Sequence, residues 1–567
     1  MKRNFSATAV IGSLFLSLLM LTFCSPNQKK TEVAKAEVPR STNYQDLVSL
    51  CAEFREFQKP IFVEGVPDYT KAAMELQRQG LEKLKGRLAA IDGSSWPVSQ
   101  QVDYHVVRAE MNGLDFDHRV LRPWSRNPCF YTVIETGPTD VPAKEGPVNY
   151  GTLLIWKYKF PLADKDVAEF RMKLQAVPKM LEQAKVNLTE EAKDLWFLAI
   201  RKKKDESAAL SNLAKLLAEH HPDLAPDAEK AKTAADDFRA WVEKKQSTMT
   251  ARSGIGIENY NWYMKNVHLN PYTWEDQLVI IQRELERALS SLKLEEHRNR
   301  KLPKLEAPAT EEEYRHRFNE AVDYFIEFLR KEEIFTVADY MPESLKRPVV
   351  IGERSLKEGS FIPPGSFRDF FNKVDYYDPL PMRCHGTHWF DWARIVNEPH
   401  PSPIRRVPLL YSIWDSRAEG LATGMEEMML HAGLYDKGSP RVRELVYILL
   451  ANRCARAMGD LKMHSNEFTL EDAVDYGSKW TPYNWFPKEG NSVWVDASLY
   501  LNQPGYGTSY VVGKVHIEKL IAECAQLMGE KFTLKKWFDD FHATGQVPMS
   551  LIRWEMTGLT DEIKKLW

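Results

Sequence analysis

Apolar residues recur at intervals of three and four along most of residues 43–567, and this spacing limits the fold more than any other feature of the sequence. A period near 3.6 places such residues on one face of an α-helix, whereas a half-buried strand alternates every second residue. Alternating runs are few and short, as at residues 349–351. The pattern predicts a mainly α-helical fold with at most a small sheet.

The clearest predicted helix covers residues 274–297. Thr273 stands where an N-cap is expected, and Glu275 and Asp276 favour the first turn through the helix dipole. The apolar residues of this segment form one stripe: Leu278, Ile281, Leu285, Leu289 and Leu292. The same spacing predicts further helices over residues 74–88, 167–188, 190–217, 227–245, 311–331, 442–463 and 514–528.

Basic and acidic residues nearly balance, with 76 Lys plus Arg against 79 Asp plus Glu and a net charge of −3. Proteins that bind nucleic acid use an excess of basic residues to replace the counterions of the phosphates. The balance of charge excludes a nucleic-acid partner. The length predicts one large domain over residues 43–567, or two lobes over residues 43–250 and 251–567 around a cleft.

The first 23 residues have the form of an export signal, with a basic start and an uncharged apolar run over residues 5–23. The run ends in Leu21-Thr22-Phe23-Cys24, which is similar to the lipobox of bacterial lipoproteins except that Phe23 replaces the usual small residue. We predict a lipoprotein signal peptide over residues 1–23 and a polar, flexible tether over residues 24–42.

Lipidation of Cys24 would place the protein in the bacterial cell envelope, with the membrane as its partner through the anchor. Two alternatives stay open for this segment. The apolar run is nearly long enough to span a bilayer as an uncleaved signal anchor, and simple cleavage would release the protein.

The remaining cysteines are odd in number, widely spaced and without a CxxC pair: Cys51, Cys129, Cys384, Cys454 and Cys524. Such spacing is typical neither of a disulfide framework nor of a thiolate zinc site. At most one or two disulfide bonds can form, and free buried thiols are expected.

Two glutamates in residues 411–434 are candidates for chemistry. Glu419 and Glu426 are seven residues apart, which puts both carboxylates on one face of a helix, two turns apart. The segment is rich in Leu, Met and Ala, which favours a buried, functional position. A solvated helix face is the alternative.

A second predicted helix carries an ionic stripe. Its polar residues follow one another at intervals of three, four and four: Arg453, Arg456, Asp460 and His464. Burying such charges without partners costs several kcal/mol each, so the stripe faces either solvent or opposite charges in a cleft. The carboxylates of Glu419 and Glu426 are the natural partners.

His385 and His388 are three residues apart, so one helical turn can direct both rings at one metal ion. Glu419 would complete the three-ligand set of a catalytic zinc site with an open position. Two structural histidines beside Trp389 are the alternative. Further along, Tyr510 and Lys514 lie one turn apart and could stabilise an oxyanion; helix-start packing and a surface lysine are the alternative there.

Together these segments resemble the bacterial family known as domain of unknown function 885 (DUF 885), whose members look like gluzincin-type zinc peptidases. Further matching segments are Val102-Asp103-Tyr104, residues 122–128, Gly254-Ile255-Gly256 and Pro504-Gly505 with Ser509-Tyr510 and Gly513. The Glu419-Gly420-Leu421-Ala422 segment with Glu426 is similar to the family's EGWALYAE, and Asp460 with His464 is similar to its VDTGLH. The resemblance implies a zinc-peptidase scaffold with a peptide ligand, and catalytic Glu426, Asp460, His464 and Tyr510 at the matching positions. The ionic stripe and the spacing of Tyr510 and Lys514 add Arg453, Arg456 and Lys514 as predicted cleft residues.

The chain departs from the family in the residues that would carry out catalysis. Members carry HExxPGHH before the EGWA helix, and aligning Gly386 and His388 with its end puts Pro381 and Met382 where the first His and Glu should be. Without that general base, a factor of about 10²–10⁴ in rate would be lost. His385 could restore a ligand, and Glu398 or Asp391 could supply a carboxylate.

Two hypotheses of function follow, and a purely structural envelope protein is a third. In the first, an exported, lipid-anchored protein keeps a peptidase-like cleft without the standard His-Glu pair, and binds peptides or carries altered chemistry. In the second, an active zinc-dependent hydrolase holds its metal through His385, His388 and Glu419 and uses Glu426 or another carboxylate as base.

Overall fold

The chain is described here by a computed structural model over residues 40–137, 149–346 and 370–567. The predicted signal peptide, Cys24 and nearly all of the tether lie outside the described residues, as does the alternating run at residues 349–351.

Amphipathic helices build most of the described chain. The helices of its first part are α1 (Tyr44–Phe57), α2 (Lys71–Ala89), α3 (Val98–Phe116), α4 (Pro123–Arg126), α5 (Asp164–Asn187), α6 (Lys193–His220), α7 (Ala225–Gln246), α8 (Ile257–Asn266), α9 (Trp274–Arg298), α10 (Glu311–Lys331) and α11 (Met341–Ser344). Those after residue 369 are α12 (Phe370–Tyr377), α13 (Leu380–His385), α14 (Thr387–Asn397), α15 (Asp415–His431), α16 (Val442–His464), α17 (Leu470–Trp480), α18 (Asn491–Asn502), α19 (Tyr506–Met528), α20 (Leu534–Ala543), α21 (Met549–Thr557) and α22 (Ile563–Leu566).

Strands are short, and the described residues form two two-stranded sheets. In the first, β1 (Phe62–Val63) pairs antiparallel with β2 (Val66–Pro67). In the second, β3 (Ile134–Glu135) pairs parallel with β4 (Leu153–Leu154). The prediction of a mainly α-helical fold with a small sheet content is confirmed.

The predicted helices form close to their expected bounds. Helix α9 begins after Thr273, whose side chain accepts the backbone N–H of Asp276 while the Asp276 carboxylate accepts the Thr273 N–H, a capping box. Helix α19 starts at Tyr506, eight residues before the predicted 514. Gly505 provides the turn there with φ +87°, and the Asp460 carboxylate accepts the N–H groups of Gly505 and Thr508, both at 3.2 Å.

Helices α15 and α19 cross at unusually short range. A Cβ on Gly513 would lie 2.0 Å from the carbonyl oxygen of Ser416, and a Cβ on Gly420 would lie 2.5 Å from the carbonyl carbon of Gly513. Only glycine fits at these two positions, because any side chain would separate the backbones. The crossing brings the third turn of α19 against the first two turns of α15, next to Glu419 of the candidate site.

Residues 41–567 group into one compact unit. The lobe boundary at residue 250 stays a prediction. Within the described ranges, none of the helices combines the length and the apolar character needed to cross a bilayer. The five cysteines in this unit are free thiols, as expected, and all but the half-buried Cys129 are buried.

Candidate metal centre

The two candidate histidines flank a break between helices. Helix α13 ends at His385, and α14 begins at Thr387 after Gly386. Packing favours glycine at this joint, since a Cβ on Gly386 would lie 2.8 Å from a methyl carbon of Leu345 and 2.9 Å from the ring of Trp389. The break leaves the rings of His385 and His388 with their centroids 4.9 Å apart.

His388 is fully buried, and its two ring nitrogens differ. Nδ1 lies 2.7 Å from the carbonyl oxygen of His385 and therefore carries the proton that it donates. Nε2 then holds the lone pair, and it has no hydrogen-bond partner among the described residues. A backbone-held Nδ1–H with an open Nε2 is the arrangement that metal-binding histidines use.

Glu419 lies on α15 and is buried. Its Oε1 accepts the hydroxyl of Tyr506, the first residue of α19, at 2.6 Å. One ligand atom from each of His385, His388 and Glu419 lies within 4.8 Å of the other two. The three residues predicted as metal ligands from the sequence are thus brought together; we call them the His–His–Glu cluster.

Glu426 and Arg453 form an ion pair behind His385. Arg453 donates to the two carboxylate oxygens of Glu426 at 2.7 and 2.8 Å, and its Nη2 lies 3.0 Å from Nδ1 of His385. Glu426 Oε1 is 3.2 Å from the same nitrogen. Burial raises the pKa of Glu426 to about 7, although Arg453 and Arg456 act in the opposite direction.

The donors fit a divalent transition metal. Burial, with the charge of Arg453, holds the pKa of His385 well below its usual range, so the ring is neutral at pH 7. Neutral imidazoles and a carboxylate are the donors of His₂Glu zinc sites. Arg453 is the competing partner, because an Nδ1 that accepts its hydrogen bond leaves the proton of the neutral ring on Nε2, which then has no lone pair for a metal. Metal binding needs the other tautomer, in which Nδ1–H of His385 donates to Oε1 of Glu426 and Nε2 holds the lone pair.

The remaining residues of the ionic stripe have separate partners. Arg456 donates to Asp496 on α18 at 2.6 Å. Asp460 caps α19 as described above, and burial raises its pKa to about 8. His464 lies with Nε2 2.9 Å from the carbonyl oxygen of Tyr500, and burial lowers its pKa to about 4. Glu426 is thus a partner of the stripe, as expected, whereas Glu419 bonds to Tyr506.

Tyr510 and Lys514 occupy different surroundings on α19. The Tyr510 ring lies 5.8 Å from that of Tyr506 and 5.1 Å from the guanidinium carbon of Arg456. Lys514 is buried rather than at the surface, in a network of three carboxylates: Glu284 at 3.4 Å, Glu427 at 3.1 Å and Glu518 at 2.5 Å. The catalytic and cleft roles assigned to these residues stay predictions.

The alternative sources of a general base are engaged elsewhere. Met382, which the predicted alignment places where the family has its Glu, is buried and apolar. Asp391 binds Arg417 at 2.5 Å and the Nδ1 of His542 at 3.0 Å. The side chain of Glu398 is half exposed and accepts the hydroxyl of Tyr340.

Two site residues were missed by sequence reasoning. Tyr506 carries the hydroxyl that orients Glu419, and Asp496 pairs with Arg456. Tyr506 directly follows the Pro504-Gly505 turn that the resemblance singled out, so a helix start placed at that turn would have found it. Asp496, a lone acid in an apolar run, carried a weaker signal.

The fold and the site together describe a mainly helical protein with a buried His–His–Glu cluster. Residues 388–556 match the sequence profile of the family described as bacterial protein of unknown function (DUF885). The matched stretch begins at His388 and contains Glu419, Glu426 and the ionic stripe. It confirms the predicted family resemblance for this part of the chain, whereas the gluzincin scaffold and the altered motif stay predictions.

Two solved structures have a similar fold. One, from Shewanella oneidensis, is described as a putative lipoprotein of unknown function; it matches with a TM-score of 0.68 and 15% sequence identity over 91% of this chain and 100% of that one. The other, from Colwellia psychrerythraea, is described as a putative lipoprotein and matches with a TM-score of 0.63 and 16% identity over 91% and 98%. No curated protein matches the sequence. At these identities the likeness establishes the fold alone.

Proposed function

We propose that the protein is an exported, lipid-anchored envelope protein that binds a divalent transition metal, zinc first, at the His–His–Glu cluster. The metal site serves to hold a peptide in the surrounding cleft, without the standard hydrolytic base. The Nε2 atom of His388 is the single observation that carries this proposal, because it is a buried lone pair aimed away from its own Nδ1–H bond.

Leaving such an atom buried without a partner costs about 1–3 kcal/mol of folding stability. An unpaired buried atom of this kind therefore calls for an explanation, and a ligand-binding role is one. The residues around it supply the rest of a ligand set. The histidines are positioned by the α13–α14 break, and Tyr506 orients Glu419. Metal bound there would act as a Lewis acid toward a ligand carbonyl or carboxylate.

Binding is favoured over hydrolysis because, among the described residues, no free carboxylate stands in the position of a general base. The residue that aligns with the family's base is Met382, which can take no proton. Glu426 reaches the nearest histidine but is held by two hydrogen bonds from Arg453. Export and the lipid anchor rest on the apolar run and Cys24, and the descriptions of the two structural neighbours accord with them.

A second candidate function, zinc-dependent peptide hydrolysis with Glu426 as base, is favoured by one observation. Burial raises the pKa of Glu426 to about 7, which is the range that suits a general base at neutral pH. Turnover of peptides by the zinc-loaded protein, lost in Glu426→Gln with zinc retained, would select this function instead.

Zinc content tests the proposal. A soluble form of residues 25–567, purified without added metal and dialysed, is expected to hold about one zinc per chain by plasma mass spectrometry. His388→Ala and Glu419→Gln should each lose it. His516→Ala is the matched control, because His516 is also buried and also lacks hydrogen-bond partners among the described residues, but lies outside the cluster.

Absence of zinc, and of any other transition metal, from the wild-type chain even after incubation with the metals would refute the metal site. Equal zinc in wild type and His388→Ala would place the metal elsewhere. If zinc is bound and no peptide in a mixed library is cleaved, binding remains the function.

A further inference from the structure

The guanidinium of Arg456 is buried and has more N–H donors than hydrogen-bond acceptors around it. One of its nitrogens, Nη1, donates to Asp496, but Nε and Nη2 are buried and have no hydrogen-bond partner among the described residues. Its other neighbours are aromatic rings: the guanidinium carbon lies 5.1 Å from the ring centres of Phe371 and Tyr510 and 5.9 Å from that of Tyr500. Rings attract the charge but accept no in-plane N–H, so these donors remain open.

Tyr500 adds a further open donor in the same place. Its hydroxyl is buried without a hydrogen-bond partner among the described residues. Burial raises its pKa well above the usual range, with Arg456 as the strongest opposing influence, so the group is a neutral O–H beside that guanidinium. The Tyr500 ring also lies 6.4 Å from that of Tyr506, whose hydroxyl bonds to Glu419, so Tyr500 adjoins both the arginine and the His–His–Glu cluster.

The charge balance favours an anion. Glu426 pairs with Arg453 and Asp496 pairs with Arg456, while Glu419 lies in the adjoining His–His–Glu cluster, so three carboxylates accompany two guanidiniums. With all five ionised, a divalent metal in the cluster leaves one positive charge in excess, and one carboxylate from a ligand would balance it. Buried charges that are matched in number cost much less than unmatched ones.

We propose that Arg456 and Tyr500 form a carboxylate-binding subsite beside the His–His–Glu cluster, so that the peptide ligand is held by a carboxylate. The proposal rests on the proposed function for the metal. The fork of Nε–H and Nη2–H matches the two oxygens of a carboxylate, and such charge-assisted pairs are about twice as strong as neutral hydrogen bonds. Because the Phe371 ring covers Arg453 and Arg456, it must shift when the ligand enters.

Three fluorescent dipeptides test the subsite by anisotropy on the zinc-loaded full chain in mild detergent. Dansyl-Ala-Phe has a free terminal carboxylate, dansyl-Ala-Phe amide has none, and dansyl-Ala-Glu amide has only a side-chain carboxylate. The wild type is expected to bind the free acid at least tenfold more tightly than the uncharged amide. Equal affinity of wild type for these two probes would overturn the proposal.

Arg456→Gln should weaken binding of the free acid about tenfold or more and change that of the uncharged amide less than threefold. Tyr500→Phe, a near-isosteric change that removes a hydroxyl with no partner among the described residues, should weaken binding of the acid about three- to tenfold while keeping the fold. Arg443→Gln is the control on the same helix, because Arg443 pairs with Glu295 away from the cluster. The subsite would also be overturned if Arg456→Gln and Tyr500→Phe both preferred the free acid over the uncharged amide as strongly as the wild type does.

The probes separate two sources of carboxylate. Preference for the free acid alone assigns the subsite to a chain terminus, and equal binding of the Glu amide assigns it to an acidic side chain. Failure of the metal proposal is distinguished by zinc content. If a protein without zinc still prefers the free acid to the amide, and the preference depends on Arg456, the subsite proposal stands and the metal proposal fails.

Discussion

The protein contains two buried sets of histidine, carboxylate and arginine, and the two sets differ in how their polar atoms are paired. In the Asp391 triad (Asp391, Arg417 and His542), each member bonds to another within the set. The His–His–Glu cluster, with Glu426 and Arg453 behind it, leaves the lone pair of His388 Nε2 without a partner among the described residues, whereas the unpaired atom of the triad is a donor, Nε of Arg417. Both sets draw a residue from the same helix, α15.

The difference shows that residue type alone does not decide whether a buried polar set is structural or binds a ligand. A buried ion pair whose donors and acceptors meet inside the protein acts as structure, since removing one partner leaves an uncompensated charge. A buried set with an open lone pair has capacity left for a ligand. The predictions below test this division of the two sets, and begin with the largest effect.

Removing the carboxylate of the triad should harm folding most. Asp391→Ala leaves the guanidinium of Arg417 buried without its counter-ion, and we expect a loss of about 3–5 kcal/mol in the free energy of unfolding, measured with urea. Glu398→Ala, at a half-exposed carboxylate, should stay within about 0.5 kcal/mol. A loss below about 1 kcal/mol in Asp391→Ala would mean that the triad is not structural.

A methyl group at the α15–α19 crossing should disturb the cluster and the fold together. Gly513→Ala puts a Cβ 2.0 Å from the Ser416 carbonyl oxygen and should cost about 3 kcal/mol, since the helices must separate. Gly86→Ala is the control with the opposite sign: nothing lies within 4 Å of the added Cβ, and helix propensity predicts a gain of about 0.5–1 kcal/mol. Equal melting temperatures of Gly513→Ala and wild type would contradict the close crossing.

Metal should stabilise the protein only while the cluster is intact. Zinc at about 100 times its Kd is expected to add about 2.7 kcal/mol to the unfolding free energy of wild type, and to add nothing to His388→Ala. Differential scanning fluorimetry with and without a chelator measures both. Calcium, which prefers oxygen ligands, serves as the control ion and should not shift the Tm. A zinc-dependent rise in His388→Ala would argue against the cluster.

Loss of the hydroxyl that orients Glu419 should weaken the metal without removing it. Tyr506→Phe deletes the 2.6 Å hydrogen bond to Oε1 and should raise the Kd for zinc about 10- to 100-fold in competition with a chelating dye. Tyr340→Phe removes a similar bond to the half-exposed Glu398 and should leave the Kd unchanged. An unchanged Kd in Tyr506→Phe would show that Tyr506 only packs.

The triad should also make stability depend on pH. Burial lowers the pKa of His542 to about 4, so between about pH 6.5 and 4 the unfolded chain binds a proton that the folded chain does not. Stability from this residue therefore falls as the pH falls through that window, by about 1.4 kcal/mol per pH unit at most. Urea titrations at pH 7, 6 and 5 should show a shallower fall in His542→Phe, and an unchanged slope in the exposed control His431→Gln.

Much of the fold could be predicted from spacing in the sequence. Apolar stripes of period 3.6 predicted helices such as residues 274–297, and its cap was correct to the residue. The start of α19 was missed because a left-handed glycine and a carboxylate 45 residues away define it. The trio His385, His388 and Glu419 was predicted from ligand chemistry, and its members do lie together.

Pairings over long distances could not be predicted in the same way. Helical spacing showed that Arg453, Arg456, Asp460 and His464 share a face, but not that each meets a different partner. Arg456 pairs with Asp496 on another helix, and Lys514, a predicted cleft residue, lies among three carboxylates. Such contacts depend on how helices pack, which a local pattern does not encode.

The sequence by itself determined the helical class, the helix faces that are buried and the residue types available for a metal site. These follow from local period and side-chain chemistry, which act over a few turns. Only the tertiary structure decided that Asp391 is bound by Arg417 and His542, while Nε2 of His388 has no partner in the part of the chain that the structure describes. The partners of Asp391 lie 26 and 151 residues away, and it is the crossing of distant helices that sets which polar atoms find one another.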